Sequence, residues 1–176
     1  PGLHCLGEAI EERIPPAQGL NHLMLLYQHL ARPRGQGGGR LGELVQESIR
    51  TLGKRALVFL ITDALDDLPP LFDAIKGLRV REHDVALLQI LDRNELEFPY
   101  DRLSEFRHPE SGARLVGDPV RLREGYLERL HAHLDELERF CKKRQVDYLR
   151  LHNGEDLTKL LASYFLRRVL PGAAPC

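Results

Sequence analysis

The chain has 176 residues, of which 43% are hydrophobic and 29% are charged. This apolar content is enough for one hydrophobic core, and the chain is too short for two ordinary domains. The net charge of -1 at pH 7 argues against nucleic acid or an anionic membrane as a partner.

The cysteines and the hydropathy of the chain indicate its cellular compartment. Cys5, Cys141 and Cys176 are widely spaced and form no CxxC pair, which indicates a reducing, cytoplasmic environment. No window approaches the roughly 18 apolar residues of a membrane span. We expect a single domain over residues 1–170 and a flexible tail at 171–176.

The N-terminal third predicts a small hairpin followed by two helices. Short apolar segments at Leu3–Leu6 and Ala9–Ile14 favour an antiparallel pair that ends at a proline pair. Apolar residues then recur at helical spacing over Leu20–Ala31 and again over Leu41–Leu52, where Gly53 would cap the second helix. The segment RPRGQGGGR between them reads as a loop.

The stretch KRALVFLITDALDD is the most informative part of the chain. Ala56–Thr62 carries no charge, which is typical of a strand covered by helices on both faces of a parallel sheet. The run stops at Asp63, and a helix is predicted over Leu68–Leu78, entered through a proline pair.

The remaining sequence repeats this order of strand and helix. It predicts a strand at Asp84–Leu91, a small hairpin between Leu103 and Val116, a long helix that starts at Asp118, a strand at Val146–Leu151 and a last helix from Leu157. We therefore predict an α/β fold, with a mostly parallel sheet covered by helices on both faces and a small hairpin insertion.

Asp63 is the best candidate for a functional residue. Ligands of open α/β sheets bind outside the carboxyl ends of the strands, which is where Asp63 is expected. With Asp66, Asp67 and the Thr62 hydroxyl it could hold a hard cation such as magnesium. Alternatively, Asp66 or Asp67 caps the following helix.

Three other polar features favour structural roles. Asp92, at the end of the next strand, is typical of a turn. The glycines at 35–39 follow a helix and lack the lysine of a phosphate-binding loop, so they indicate a linker. His131 and His133 lie two apart on a helix and are interpreted as part of a solvated face.

The order of RALVFLITDALDD, REHDVALLQILDRNELEFP, FRHPESGARLVGDP, the long helix and VDYLRLH resembles one bacterial family of unknown function, the domain family numbered fifty-eight. Its core is similar to a von Willebrand factor A domain. The resemblance implies that the family's first strand, with its Asp-x-Ser-x-Ser metal-binding signature, would lie upstream of Pro1 and is not in this chain.

The resemblance also bears on site residues and partners. Gly39 falls at the family's loop threonine, Arg40 stands in an acidic position, and Asp63 alone matches an element of the metal site, so that site would be degenerate. The family implies a role beside MoxR-type AAA+ ATPases in the assembly or maturation of complexes.

Three hypotheses follow. The first is a non-enzymatic protein-interaction module without a cofactor, whose partner-binding residues are Gly39, Arg40, Asp63, Asp66 and Asp92. The second is a magnesium-dependent hydrolase or phosphotransferase that uses Asp63. The third is a degenerate domain that binds no ligand.

Overall fold

The computed structural model describes residues 1–32, 40–53, 55–107 and 112–169. The strands are β1 (Leu3–Leu6), β2 (Ile10–Ile14), β3 (Leu57–Thr62), β4 (Asp84–Leu91), β5 (Ser104–Arg107), β6 (Arg114–Gly117) and β7 (Asp147–His152). The helices are α1 (Leu20–Leu30), α2 (Leu41–Ile49), α3 (Leu68–Val80), α4 (Arg93–Glu97), α5 (Pro119–Lys143) and α6 (Leu157–Val169).

A parallel sheet with the strand order β3-β4-β7 forms the centre of the fold. Leu57 of β3 pairs with Asp84 of β4, and Ala86 of β4 pairs with Asp147 of β7. The predicted α/β class is thus confirmed as a parallel sheet flanked by helices. Because all three strands run the same way, their carboxyl ends meet at one edge.

Alternate residues of β4 build a core on each face of this sheet. Val85 and Leu87 pack with α2, α3 and α5 on one face, where Leu137 and Cys141 of α5 are completely buried. Ala86 and Leu88 pack on the other face with β7 and with Tyr164 of α6. The apolar run of β4 therefore reflects burial on both sides.

The expectation that β3 is equally buried is wrong. Its only strand partner among the described residues is β4, so it forms an edge of the sheet. Leu57 and Ile61 are 41% and 66% exposed, whereas Val58 and Leu60 are partly buried against α2, α3 and α5. Leu57 and Ile61 lie on the same face of β3 as Phe59, which packs with Tyr164 of α6, so this face of the strand is covered incompletely, and the composition of β3 alone does not reveal that.

The predicted N-terminal hairpin is present, and its strands β1 and β2 form a separate antiparallel sheet. Helix α1 follows as predicted, but its apolar stripe faces solvent. Leu26 is the buried residue of this helix, while the members of the stripe are 40–74% exposed, namely Leu20, Leu23, Met24, Tyr27 and Leu30. The helical periodicity predicted the helix correctly, but the face that it predicted to be buried is exposed.

Helices α2 and α3 pack in close contact at their first turns. A Cβ atom on Gly42 would lie 2.3 Å from the carbonyl carbon of Pro70, so the two backbones touch where a side chain would otherwise stand. Helix α2 ends at Ile49 with Arg50 as its C-terminal cap, and the predicted capping role of Gly53 is therefore wrong. The contact fixes the start of α2 beside the start of α3.

The segment after β4 contains a short helix that sequence analysis missed. Asp92 is the N-cap of α4, and its carboxylate accepts a hydrogen bond from the Asn94 amide while Glu95 bonds back to the Asp92 amide. This reciprocal capping box replaces the turn that we expected. The predicted hairpin follows as β5 and β6, and residues 108–111 between these strands lie outside the described residues.

Helix α5 starts as predicted. The Asp118 carboxylate accepts a hydrogen bond from the Val120 amide, and Pro119 occupies the first turn. Among the described residues, no helix is both long and apolar enough to cross a membrane.

Candidate functional site at the carboxyl edge of the sheet

Asp63 lies immediately after β3, at the carboxyl edge of the parallel sheet, and is exposed. The Thr62 hydroxyl accepts a hydrogen bond from the Ala64 amide at 3.0 Å and reaches the Asp63 carboxylate at 3.4 Å. Ala64 has a φ of 50° and is 1% exposed. The chain therefore turns sharply inward at Ala64 while the Asp63 side chain stays outside.

The Asp63 carbonyl group is hydrogen-bonded to the side chain of Gln89 in β4. The Gln89 side-chain amide is completely buried and donates a hydrogen bond of 2.8 Å to the Asp63 carbonyl oxygen. The Tyr148 hydroxyl donates to the other end of the same amide. Burial raises the pKa of Tyr148, which keeps this hydroxyl protonated as a donor.

The Ala64 carbonyl is held by His133 of α5. The His133 Nε2 atom lies 2.7 Å from the Ala64 carbonyl oxygen, a distance at which the ring nitrogen donates a hydrogen bond. We interpreted His133 from sequence as part of a solvated face, and that interpretation is wrong. Because residues 64 and 133 are far apart in sequence, no local pattern could pair them.

Asp92 lies at the carboxyl end of the neighbouring strand β4 and joins it to β7. The Asn153 side-chain amide donates to the Asp92 carboxylate at 2.6 Å, and its oxygen accepts from the Arg93 amide at 3.1 Å. These contacts and the helix cap occupy the Asp92 carboxylate. Asn153 was missed, since its partner is contributed by another strand.

Asp66 and Asp67 complete the exposed loop between β3 and α3. Asp67 occupies the N-cap position of α3, but its side chain accepts no capping hydrogen bond among the described residues. The expected capping interaction is thus absent, although the position is right. Asp66 is exposed, and with Asp63 and Asp67 it adds negative charge to the sheet edge.

Of the remaining predicted site residues, one can be located. Arg40 is the N-terminal cap residue of α2 and forms an ion pair with Glu43. Because the first turns of α2 and α3 are in contact at Gly42 and Pro70, Arg40 lies on the same side of the fold as the loop after β3. Gly39 lies outside the described residues.

The donor set at this edge is poor for a cation. Hard divalent ions take six or more oxygen ligands, and Thr62 and Asp63 contribute a hydroxyl that is already bonded and one carboxylate. In the described part of the chain, no three acidic, histidine or cysteine side chains converge as metal ligands do. These residues do not fit a bound metal ion.

The opposite edge of the sheet is also charged, but there the charges pair with one another. Arg168 bridges Asp84 and Asp147, and Arg79 contacts Asp84 at 3.3 Å. Arg55 pairs with Glu82 in the same region. These ion pairs connect α3 and α6 to the starts of β4 and β7.

Cys141 is unsuited to nucleophilic chemistry. It is completely buried between α5 and the sheet, and desolvation raises its pKa from 9.0 to about 12. A thiol with that pKa carries almost no thiolate at neutral pH.

Comparison with known proteins gives one family and two similar structures. A family model described as "Protein of unknown function DUF58" matches residues 1–136. A crystal structure of an aerotolerance-related membrane protein from Bacteroides fragilis, with multiple mutations to serines, is similar at a TM-score of 0.56 and 14% identity, covering 94% of this chain and 78% of that one.

The second structure is the conserved hypothetical protein BatB from Bacteroides thetaiotaomicron. It has a TM-score of 0.49 and 16% identity, and the similarity covers 85% of this chain and 70% of that protein. No curated protein matches the chain. At such identities the aerotolerance-related protein bears on the fold alone.

Proposed function

The chain belongs to the DUF58 family of proteins of unknown function, and we propose that it is a non-enzymatic protein-interaction module whose binding surface is the carboxyl edge of the parallel sheet. The core would be von Willebrand factor A-like. Asp63 is the central residue of that surface, and Asp66, Asp92 and Arg40 also belong to it. Gly39, which lies outside the described residues, is included from the sequence alone.

The observation that carries the proposal is an exposed carboxylate on a loop whose backbone is fixed. Asp63 projects into solvent, while the carbonyl groups of residues 63 and 64 are tied to Gln89 and His133. A rigid loop loses little conformational freedom when a partner binds, which favours affinity. Loops at strand ends, positioned by a sheet, are common places for recognition.

The composition of the edge also suits a protein partner. Asp63, Asp66 and Asp67 are exposed acidic residues, and Leu65 between them is 42% exposed. Charged groups around an apolar contact set the orientation and the association rate of a protein complex. The partner that we propose is a MoxR-type AAA+ ATPase, acting in the assembly or maturation of other complexes.

The direct test is the affinity of the purified chain for a MoxR-type ATPase from the same organism. Asp63→Ala should weaken binding by at least about fivefold, because a carboxylate at the centre of an interface contributes about 1 kcal/mol or more. Asp63→Asn, which keeps the shape and removes the charge, should show most of the same loss.

Glu82→Ala is the matched control. It also removes one negative charge, but Glu82 lies beside the start of β4, at the opposite edge of the sheet, in an exposed ion pair with Arg55. This variant should bind as the wild type does. Equal binding by the Asp63 and Glu82 variants would contradict the proposed surface.

Calorimetric titration with magnesium and manganese tests the alternative enzyme hypothesis. We expect no binding in the millimolar range, since the edge offers few oxygen donors. A saturable magnesium isotherm lost in Asp63→Ala, together with phosphatase activity, would favour the hydrolase or phosphotransferase instead.

A further inference from the structure

Two consecutive carbonyl groups of the loop after β3 are bonded to side chains from different elements. Gln89 of β4 donates to the Asp63 carbonyl at 2.8 Å, and His133 of α5 lies 2.7 Å from the Ala64 carbonyl. We propose that Gln89 and His133 are positioning residues that fix how Asp63 is presented to the partner. This inference rests on the proposed function.

The loop needs these tethers because its backbone is otherwise unfavourable. Ala64 adopts a φ of 50°, in the left-handed region that residues with a Cβ avoid. The strand before it lies at an edge of the sheet and is paired on one side among the described residues. The two side-chain bonds therefore oppose relaxation of Ala64, which would turn the Asp63 carboxylate.

The identity of residue 89 supports a specific role. It lies in the run VALLQIL, in which all the residues except Gln89 are apolar, and its side chain is completely buried. An apolar residue would satisfy packing, whereas a buried amide must be hydrogen-bonded at both ends. Both ends of Gln89 are bonded, to the Asp63 carbonyl and to Tyr148.

Both tethers lead to the same helix. His133 is part of α5, and Gln89 reaches α5 through Tyr148, then Arg150, then Glu138. Arg150 contacts the Tyr148 hydroxyl at 3.3 Å and the Glu138 carboxylate at 3.2 Å. The loop that carries Asp63 is therefore connected to α5 by two separate sets of hydrogen bonds.

His133→Phe is the first test, because it removes the donor from a partly exposed position. His133→Gln restores a side-chain NH group at a similar reach. His131→Phe is the matched control, since His131 is exposed on the same helix. Gln89→Met tests the other tether with a side chain of similar size and no donor.

Three measurements are made on each variant of the whole chain: the melting temperature, amide hydrogen exchange over residues 62–67, and affinity for the MoxR-type ATPase. We expect His133→Phe to speed exchange in this loop and to weaken binding about fivefold, the effect of one lost hydrogen bond. His133→Gln should recover both, and His131→Phe should change neither. Gln89→Met should reproduce the loop and binding effects.

The results separate this inference from the proposed function. If Asp63→Ala weakens binding but His133→Phe and Gln89→Met leave the loop exchange and the affinity unchanged, the positioning role is refuted and the surface stands. If Asp63→Ala has no effect on binding, the proposed surface fails and the role at that surface fails with it. Loss of binding in His133→Phe only in proportion to a lower melting temperature would also refute it.

Discussion

Replacing Gly42 by alanine should pull apart the first turns of α2 and α3. The new Cβ would lie 2.3 Å from the Pro70 carbonyl carbon, 2.5 Å from the Leu71 nitrogen and 2.6 Å from the Pro70 Cβ. Real contacts of this kind are about 3.4–4 Å, so the two backbones must separate by about 1 Å. Neither backbone can move as a flexible side chain would.

Two opposing effects set the magnitude. Overpacking of a well-filled contact costs about 1–3 kcal/mol, and a backbone clash belongs at the upper end of that range. Alanine in place of glycine inside a helix contributes about 1 kcal/mol of stability. The free energy of unfolding should therefore fall by about 1–2 kcal/mol.

The assay is urea unfolding followed by far-UV circular dichroism, with Gly125→Ala as the control. Gly125 lies in α5, and a Cβ there would meet nothing within 4 Å, so this variant should be more stable than the wild type. Opposite signs for the two variants are the expected result. A Gly42→Ala variant as stable as the wild type would refute the close approach of α2 and α3.

Three further outcomes are expected. Burial raises the pKa of Cys141 from 9.0 in the unfolded chain to about 12 in the folded protein. The stability that the neutral thiol contributes is therefore complete below pH 9 and is lost as the pH rises from 9 to 12. Cys141→Ala should flatten this part of a plot of the free energy of unfolding against pH, and an unchanged slope would contradict the burial of the thiol. Gln145 follows α5 with a φ of 54°, so Gln145→Gly should raise the melting temperature by relieving about 1 kcal/mol of strain, and a lower value would contradict that backbone. Asn153→Ala should leave the Asp92 carboxylate without its partner from the turn after β7 and lower the free energy of unfolding by about 1 kcal/mol, whereas exposed Asn21→Ala should have little effect.

The order of the elements and the position of Asp63 could be predicted because they depend on local patterns. The apolar runs of β3 and β4 predicted these strands, and helical spacing predicted α2, α3 and α5. Asp118 before Pro119 located the start of α5. In each case the residues that carry the signal are neighbours in sequence.

The burial of β3 and α1, and the side chains that support the loops of the site, could not be predicted in the same way. The exposed edge of β3 and the solvent-facing stripe of α1 depend on what packs beside them, and composition does not report that. His133 and Asn153 contact residues 69 and 61 positions away. Gln89 did leave a signal, because it is the one polar residue in the run 85–91 of β4, and a buried amide there needs a specific hydrogen-bond partner.

Site-specific photo-crosslinking tests the central claim most directly. A photoreactive side chain placed at position 65, in the loop beside Asp63, should crosslink to the MoxR-type ATPase, and the yield of the crosslink should fall in Asp63→Ala. The same group at position 82, at the opposite edge of the sheet, should give no crosslink. A crosslink from position 82 with none from position 65 would contradict the assignment of the carboxyl edge as the partner-binding surface.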